Sequence, residues 1–334
     1  MQNNINKKKI FVIAEIGNNH EGNFALAKKL IKLAAKSGAD AVKFQTFKAD
    51  NFINISQKKR IKQLKKFQFS YEQFKKLKIF ANKNNLLFIS TPFDIESAIF
   101  LRKICDIIKI SSGDNNFNYM IDELLKSKKK IIISTGMTSL DDIKSIITFL
   151  KKRLSFSQIR KKIYFLHCVS SYPAHAHDLN LLSIKYLRKK LGIKVGYSDH
   201  SEGPIASITA GALGAEIIEK HFTIDKKYSK FRDHSLSADF EEMKFITESL
   251  KKIEVMLGKY EKKIHQSERS NLSSMRRSPY ASVNIEKGEI LSNKNVIFQR
   301  PRMKGTSLNH LEIFGKKINK KIKKYSLIKN KNII

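Results

Sequence analysis

Apolar and polar residues along this chain follow two alternating rhythms. Short runs enriched in β-branched and aromatic residues occur at "IFVIAEIG" (10–17), "DAVKFQTF" (40–47), "LLFISTPF" (86–93) and "IIKISSGD" (107–114). Four more follow at "KIIISTGM" (130–137), "IYFLHCVSSYP" (163–173), "KVGYSDH" (194–200) and "AEIIEKHF" (215–222). Such runs are strands. Between them, segments such as "NFALAKKLIKLAAKSG" and "SYEQFKKLKIFANKNN" repeat apolar residues three and four apart, as one face of an amphipathic helix requires. Eight strand–helix units in about 250 residues match the arithmetic of a closed (β/α)8 TIM barrel, an α/β fold whose right-handed crossovers make the sheet parallel. The alternative, an open doubly wound sheet, ordinarily carries a glycine-rich phosphate fingerprint after its first strand, and none is present.

The rhythm changes after "ESLKKIEVMLGKYEKKIHQSERSN". The helical pattern ends near residue 265, and short strand-like pieces take over: "YASVNI", a turn at "EKGE", "VIFQRP" and "IFGKKI". The expected organisation is a barrel over 1–258, a polar, partly helical linker over 259–275 and a small β-rich domain over 276–334. A chain of 334 residues that is 41% hydrophobic and 10% aromatic can bury a core, which excludes a disordered protein. The net charge of +35 ordinarily points to nucleic acid or an anionic membrane. Only 11 of the 65 basic residues are Arg, however, and the lysines are spread from end to end. The charge therefore reads as a solvated surface, with neither nucleic acid nor membrane as partner. Cys105 and Cys168 lack CxxC spacing and read as small core residues. The apolar stretch near the start is short and carries Glu15, unlike a secretion signal. No run reaches the roughly 18 apolar residues of a membrane span, so a cytoplasmic protein is expected.

Barrel enzymes carry their chemistry at the carboxyl ends of the strands, and here polar residues crowd those ends. The first run ends in Glu15 with "GNNHEG", the second carries Lys43 and Gln45, and the third ends in "STPFD". The fourth carries Lys109, then Ser111, Ser112 and Asp114; the fifth ends in Ser134, Thr135 and Gly136. The last two end in "SDH" and "EKH", where a buried charge must be paired or liganded. Adjacent strands lie about 4.8 Å apart, so His200 and His221 can reach one metal ion, and closure of the barrel brings Glu15 to the same mouth. Two imidazoles with a carboxylate or water suit manganese, iron, cobalt or zinc better than magnesium. The competing reading is two unconnected histidines at loop starts. Lys43 and Lys109, set in apolar strands, must find anionic partners or lose their charge. With the hydroxyl and N–H groups of "SSG" and "STG" they form a cradle for phosphate or carboxylate, unless they extend to the rim. His20 and His167 fit hydrogen-bonded structural positions as well as functional ones.

In this order, "AEIGNNHEG", "KFQTF", "STPFD", "IKISSGD", "STGM", "HCVSSYP", "GYSDH" and "EKHFT" resemble the sialic acid synthase family. The tail, "RSPYASVNIEKGE" through "RPRMKG" to "IFGKKI", resembles that family's antifreeze-like (SAF, β-clip) domain. The resemblance covers nearly the whole chain. It implies condensation of phosphoenolpyruvate with an N-acetylated mannosamine-type sugar, giving a nine-carbon nonulosonic acid and phosphate. It also implies a divalent metal, Mn2+ first and Mg2+ or Co2+ as alternatives, held by His200 and His221. Lys43, Thr91, Lys109, Ser112, Ser134, Gly136 and Ser198 would hold phosphoenolpyruvate. Glu15 would orient substrate and relay a proton, while Asp114, Tyr172 and Asp233 face the sugar. In the family the small domain crosses to the partner subunit of a homodimer, which makes Arg300, or its rival Arg302, a sugar contact in trans.

The chain departs from the family at two places. Before Asp233 it reads "YSKFRDHSLS" where a proline-glycine-proline stretch is common, and "KADNFINISQKKRIKQLKKFQF" offers no recognisable sugar contact. The acceptor therefore stays open among N-acetylmannosamine and the diamino-trideoxy hexoses that lead to legionaminic or pseudaminic acid. "AEIGNNH" and "ISSGD" lean toward the neuraminic and legionaminic branches. The rival readings are a phosphoenolpyruvate-dependent aldol synthase acting on a sugar phosphate, a metal-dependent barrel hydrolase, and a basic nucleic-acid-binding protein without enzymatic activity.

Overall fold

The computed structural model describes residues 10–307 and 309–334, apart from the side chain of Arg232. All eight expected strands are present: β1 Phe11–Gly17, β2 Ala41–Thr46, β3 Leu87–Pro92, β4 Ile107–Ile110, β5 Lys130–Ser134, β6 Ile163–Cys168, β7 Val195–Asp199 and β8 Ile217–His221. They form a closed barrel in chain order. Each pairs in parallel with the next, and β8 returns to β1 with Phe11 opposite Ile217 and Glu15 opposite His221.

Period-two alternation sorts each strand into two faces. Phe11, Ile13, Ala41, Ile89, Ile107, Ile132, Tyr164, Leu166 and Ile217 pack together inside the amino-terminal part of the barrel. Their neighbours in sequence, such as Val12, Val42, Phe88, Ile108, Ile131 and Ile218, face outward and join the helices in the larger core. Each such Ile stabilises the fold by about 1.5–3 kcal/mol through burial. The helices follow the pattern that predicted them. In Phe24–Lys36, Leu26, Ala27, Leu30, Ile31 and Ala34 are buried on one face, and the Asn23 side chain caps the start by accepting from Leu26 N–H.

The β2–β3 connection is longer than a single crossover helix. It contains helices Ala49–Phe52 and Lys58–Phe67 before the layer helix Tyr71–Lys83. The first two enclose a satellite cluster of Phe47, Ala49, Ile53 and Ile61, against which Phe52, Leu64, Phe67 and Phe93 pack. This basic-looking segment thus builds an apolar wall beside the barrel mouth.

The chain folds as two compact units, the first ending at Gly258 and the second running Lys259–Ile334. The second has its own core of Ala281, Ile285, Leu291, Val296, Ile313, Ile318, Ile322 and Ile328. Strands β9 Ser278–Ala281 and β10 Val296–Gln299 pair antiparallel there. "IFGKKI" contributes isolated bridges, Ile290 with Lys317 and Ile318 with Ile333, rather than a third strand.

Candidate active site

The alternation that makes the lower barrel apolar makes its upper rim ionic. On β8, Ile217 belongs to the interior cluster, and Glu219 and His221 line a cavity of about 1020 Å³ at the carboxyl end of the barrel. Lys220 points the other way. It is fully buried behind the barrel, 3.2 Å from Asp199 Oδ2, and also donates to the Ser201 carbonyl. Asp199 in turn accepts from Ser201 N–H at 2.9 Å and from the Ser201 and Ser207 hydroxyls, both at 2.6 Å. In "EKH" and "SDH", then, the middle residue ties two strands together while its neighbours face the cavity.

Within the cavity Glu219 Oε1 is the hub. It lies 3.8 Å from Lys43 Nζ and 3.7 Å from Lys109 Nζ, and accepts from Ser198 Oγ at 3.0 Å. Lys43 also pairs with Glu15 at 2.8 Å and donates to Thr91 Oγ1 at 3.3 Å, while Lys109 donates to Ser134 Oγ at 2.6 Å. Burial disfavours the Glu219 carboxylate, but the two lysines outweigh it and hold its pKa down at about 2. Glu15 goes the other way, to about 7. Its burial and the nearby Glu219 charge favour the acid more than Lys43 favours the anion. Burial also works against the Lys43 ammonium, yet Glu15 and Glu219 leave its pKa raised; for Lys109 burial prevails and its pKa falls. Around the two lysines, Glu219 is thus firmly ionised and Glu15 is poised near neutral pH.

The two imidazoles face the same cavity, ring centroids 5.6 Å apart, with Tyr172 4.2 Å from the His200 ring. His200 Nδ1–H donates to the Val169 carbonyl at 2.8 Å, so its Nε2 is the nitrogen left for a ligand. His221 Nδ1 is buried without a hydrogen-bond partner. Burial, then the neighbouring His200, holds His221 well below its ordinary pKa and keeps it neutral, the form that binds metal. Two imidazole nitrogens suit a borderline divalent ion. Among the described residues no group of three or more His, Cys, Asp and Glu forms a metal cage.

Of the residues singled out in the sequence, Glu15, Lys43, Thr91, Lys109, Ser112, Asp114, Ser134, Tyr172, Ser198, His200, His221 and Asp233 all line this cavity. Gly136 stands just behind it. Its N–H donates to Ser112 Oγ at 3.1 Å, and a Cβ there would meet Ser170 Oγ at 2.2 Å and Ser112 Oγ at 2.7 Å. Glycine at this position makes room for two hydroxyls. Arg300 and Arg302 belong to the second unit, where both are exposed beyond β10. Asp233 lies on the short helix Arg232–Leu236. The adjacent His234 anchors that helix through Thr223 Oγ1 at 2.7 Å and Glu21 Oε1 at 3.1 Å, so the loop reaches the cavity without a proline-glycine-proline stretch.

Several lining residues have no role assigned to them from the sequence, although Glu219 belongs to the "EKH" ending singled out there. Glu219 stands two positions before His221 on one strand, so its inward direction follows from the same alternation. Cys168 is not merely a core residue. Its Sγ lies 3.7 Å from His200 Nδ1 and 3.7 Å from Ser112 Oγ, while Cys105 is fully buried elsewhere. Arg60 and Gln63, on helix Lys58–Phe67, supply polar groups from the segment whose sequence offers no recognisable sugar contact. His20 and His167 are structural. His20 stacks on Phe69 at 4.1 Å and its Nδ1 accepts from Gly22 N–H at 3.0 Å; His167 Nε2 bonds the Leu179 carbonyl at 2.7 Å.

A closed parallel barrel with polar and ionisable groups gathered in one cavity at the carboxyl ends of its strands defines a (β/α)8-barrel enzyme. Residues 30–262 match the NeuB family. The chain is 40% identical to the N,N'-diacetyllegionaminic acid synthase of Campylobacter jejuni subsp. jejuni serotype O:2, across 96% of this chain and 99% of that protein. It is 34% identical to the pseudaminic acid synthase of the same organism, across 95% and 94%. The crystal structure of the N-acetylneuraminic acid (sialic acid) synthetase from Leptospira borgpetersenii superposes with a TM-score of 0.73 at 34% identity, covering 78% of this chain and 90% of that one. The chain belongs to the NeuB family, and is an enzyme of its phosphoenolpyruvate-dependent, carbon–carbon bond-forming kind. Among the described residues no helix is long and apolar enough to cross a membrane.

Proposed function

We propose that the chain condenses phosphoenolpyruvate with an N-acetylated sugar aldehyde to give a nonulosonic acid, with release of phosphate and dependence on a divalent metal, Mn2+ first. The observation that carries this reading is the meeting of an imidazole pair and a lysine pair in one cavity. A metal ion held by His200 and His221 would act as a Lewis acid on the sugar's aldehyde oxygen. Lys43 and Lys109, with Thr91, Ser112, Ser134, Gly136 and Ser198 around them, hold the phosphate and carboxylate of phosphoenolpyruvate. Its C3 forms the new bond to the aldehyde carbon, water adds to C2, and the C2–O bond to phosphate breaks. Glu15, with a pKa of about 7, is placed to relay a proton in this sequence. Asp114, Tyr172 and Asp233 bind the sugar. In a homodimer with exchanged small domains, Arg300 of the second copy completes the site.

The acceptor we favour is the diamino-trideoxy hexose of the legionaminic branch. The outer wall of Phe52, Leu64, Phe67, Phe93 and Phe231 suits a deoxy methyl and acetyl groups better than a row of hydroxyls. The higher identity to a legionaminic acid synthase than to a pseudaminic acid synthase supports it. A second reading has one observation in its favour: Arg60 and Lys230 on the same rim would suit a phosphorylated sugar. Phosphate release from phosphoenolpyruvate and Mn2+, measured against a panel of free and phosphorylated N-acetylated hexosamines, tests both. The diamino-trideoxy sugar should give the highest kcat/KM and chelator should abolish turnover. Preference for a sugar phosphate would select the second reading, and no release with any acceptor would defeat the first.

A further inference from the structure

At the amino-terminal end of the barrel lies a second cleft, of about 660 Å³. Its walls form where helices feed into strands. Helix Phe156–Lys162 runs directly into β6, helix Ser183–Leu191 reaches β7 through Gly192, Ile193 and Lys194, and Glu216 precedes β8. Arg160, Lys161, Arg188 and Lys194 line the cleft with a single carboxylate, Glu216. Lys194 already engages that carboxylate at 3.4 Å. The other three cations have no ion pair among the described residues. The mouth differs in composition, since there the four cations Lys43, Arg60, Lys109 and Lys230 share the lining with four carboxylates, Glu15, Asp114, Glu219 and Asp233.

Arg188 is the built element of this cleft. Its Nε is buried with no hydrogen-bond partner. Its guanidinium lies over Gly214, where a Cβ would sit 2.9 Å from Nη1 and 3.2 Å from Nη2. A side chain at 214 would therefore push the guanidinium aside. Composition points the same way. Lysine is the generic cation of this surface, yet two of only 11 arginines meet here. A guanidinium presents a planar fork that takes two oxygens of one phosphate, whereas an ammonium is a point charge.

We propose that this cleft binds a small polyanion of the diphosphate type, with Arg188 and Arg160 as the two forks and Lys161 as the additional charge. Its position at the opposite end of the strands separates it from the phosphoenolpyruvate cradle, and it stands whether or not that assignment holds. Calorimetric titration of the full chain with inorganic pyrophosphate, in chelator and about 150 mM salt to screen diffuse attraction, tests it. Wild type should bind one equivalent saturably. Arg188→Gln and Arg160→Gln should each weaken binding about tenfold or more, as loss of a charge-assisted bidentate contact implies, and Arg188→Lys should fall between. Arg160 is exposed, so its variant reports on binding even if an Arg188 variant folds poorly. Lys29→Gln, an exposed lysine on another helix, should leave binding unchanged. Equal loss with Lys29→Gln, unchanged affinity in both arginine variants, or no saturable binding to wild type would each overturn the proposal.

Discussion

The two ends of the barrel interior are made by the same strands under the same alternation, yet they are chemically opposite. At the amino-terminal end Ile13, Ile89, Ile107, Ile132 and Ile217 fill the barrel with branched apolar side chains. One step further along the same strands stand Glu15, Thr91, Lys109, Ser134 and Glu219. The apolar layers give the sheet the rigidity that holds ionised groups in fixed, mutually paired positions. The polar layer costs stability through charge burial, which is tolerable only because each charge has partners. One face of these strands is therefore apolar at its start and polar at its end.

Substitutions at the two ends should separate accordingly. The largest expected effect is on turnover. His200→Ala or His221→Ala should lower kcat by roughly 10³-fold, the several kcal/mol attributed to a Lewis acid, while thermal melting shows a fold largely intact. Next comes the ionic hub. Glu219→Ala leaves Lys43 and Lys109 short of a partner and should cost about 3–5 kcal/mol in denaturant unfolding, the penalty for breaking a buried charge network. Ile132→Ala, at the apolar end, should cost about 2–5 kcal/mol through its cavity but leave kcat per folded molecule unchanged. A fall in its kcat comparable to that of the histidine variants would erase the distinction between the ends.

A smaller effect concerns pH. Glu15 has a folded pKa of about 7 against an ordinary value of 4.5, so the native state binds its proton more tightly than the unfolded chain does. Its contribution to stability is fully present below about pH 4.5 and is lost as pH rises through about 7. In chelator, the melting temperature of wild type should therefore decline over that window more than that of Glu15→Gln, which has no proton to lose. Parallel curves would refute the assignment. The smallest signal is complementation. Mixing His221→Ala with Arg300→Ala subunits should restore part of the activity if Arg300 acts in trans, and no recovery between exchanging dimers would count against it.

Much of this contrast is legible in the sequence, because a strand's period is short and strict. Once "KFQTF" and "IIKISSGD" are strands, Lys43 and Lys109 must share a face with their alternate neighbours, and the structure places both in the cavity. Glu219 obeys the same rule but is overshadowed by the histidine two positions on. The less legible residues lie off the strands. The loop geometry that brings Arg60 and Gln63 to the rim depends on how helix Lys58–Phe67 packs against Phe47 and Ile53, and periodicity fixes its buried face but not its place above the barrel. The same holds for Asp233, whose position depends on His234 bonding Thr223 and Glu21, the latter distant in sequence. Cys168 reads as core because its run is apolar; its closeness to His200 depends on strand register, which places Cys168 opposite Ser198.

Diffraction from crystals soaked with Mn2+ and phosphoenolpyruvate, collected at an energy where manganese scatters anomalously, would show whether one cavity holds both the ion and the enol ester. One strong anomalous peak is expected about 2.2 Å from a nitrogen of each of His200 and His221, near the distances usual for imidazole ligands, with the phosphate of phosphoenolpyruvate on Lys43 and Lys109 beside it. A peak away from that pair, or phosphoenolpyruvate bound elsewhere than the lysines, would be incompatible with a shared site at the barrel mouth.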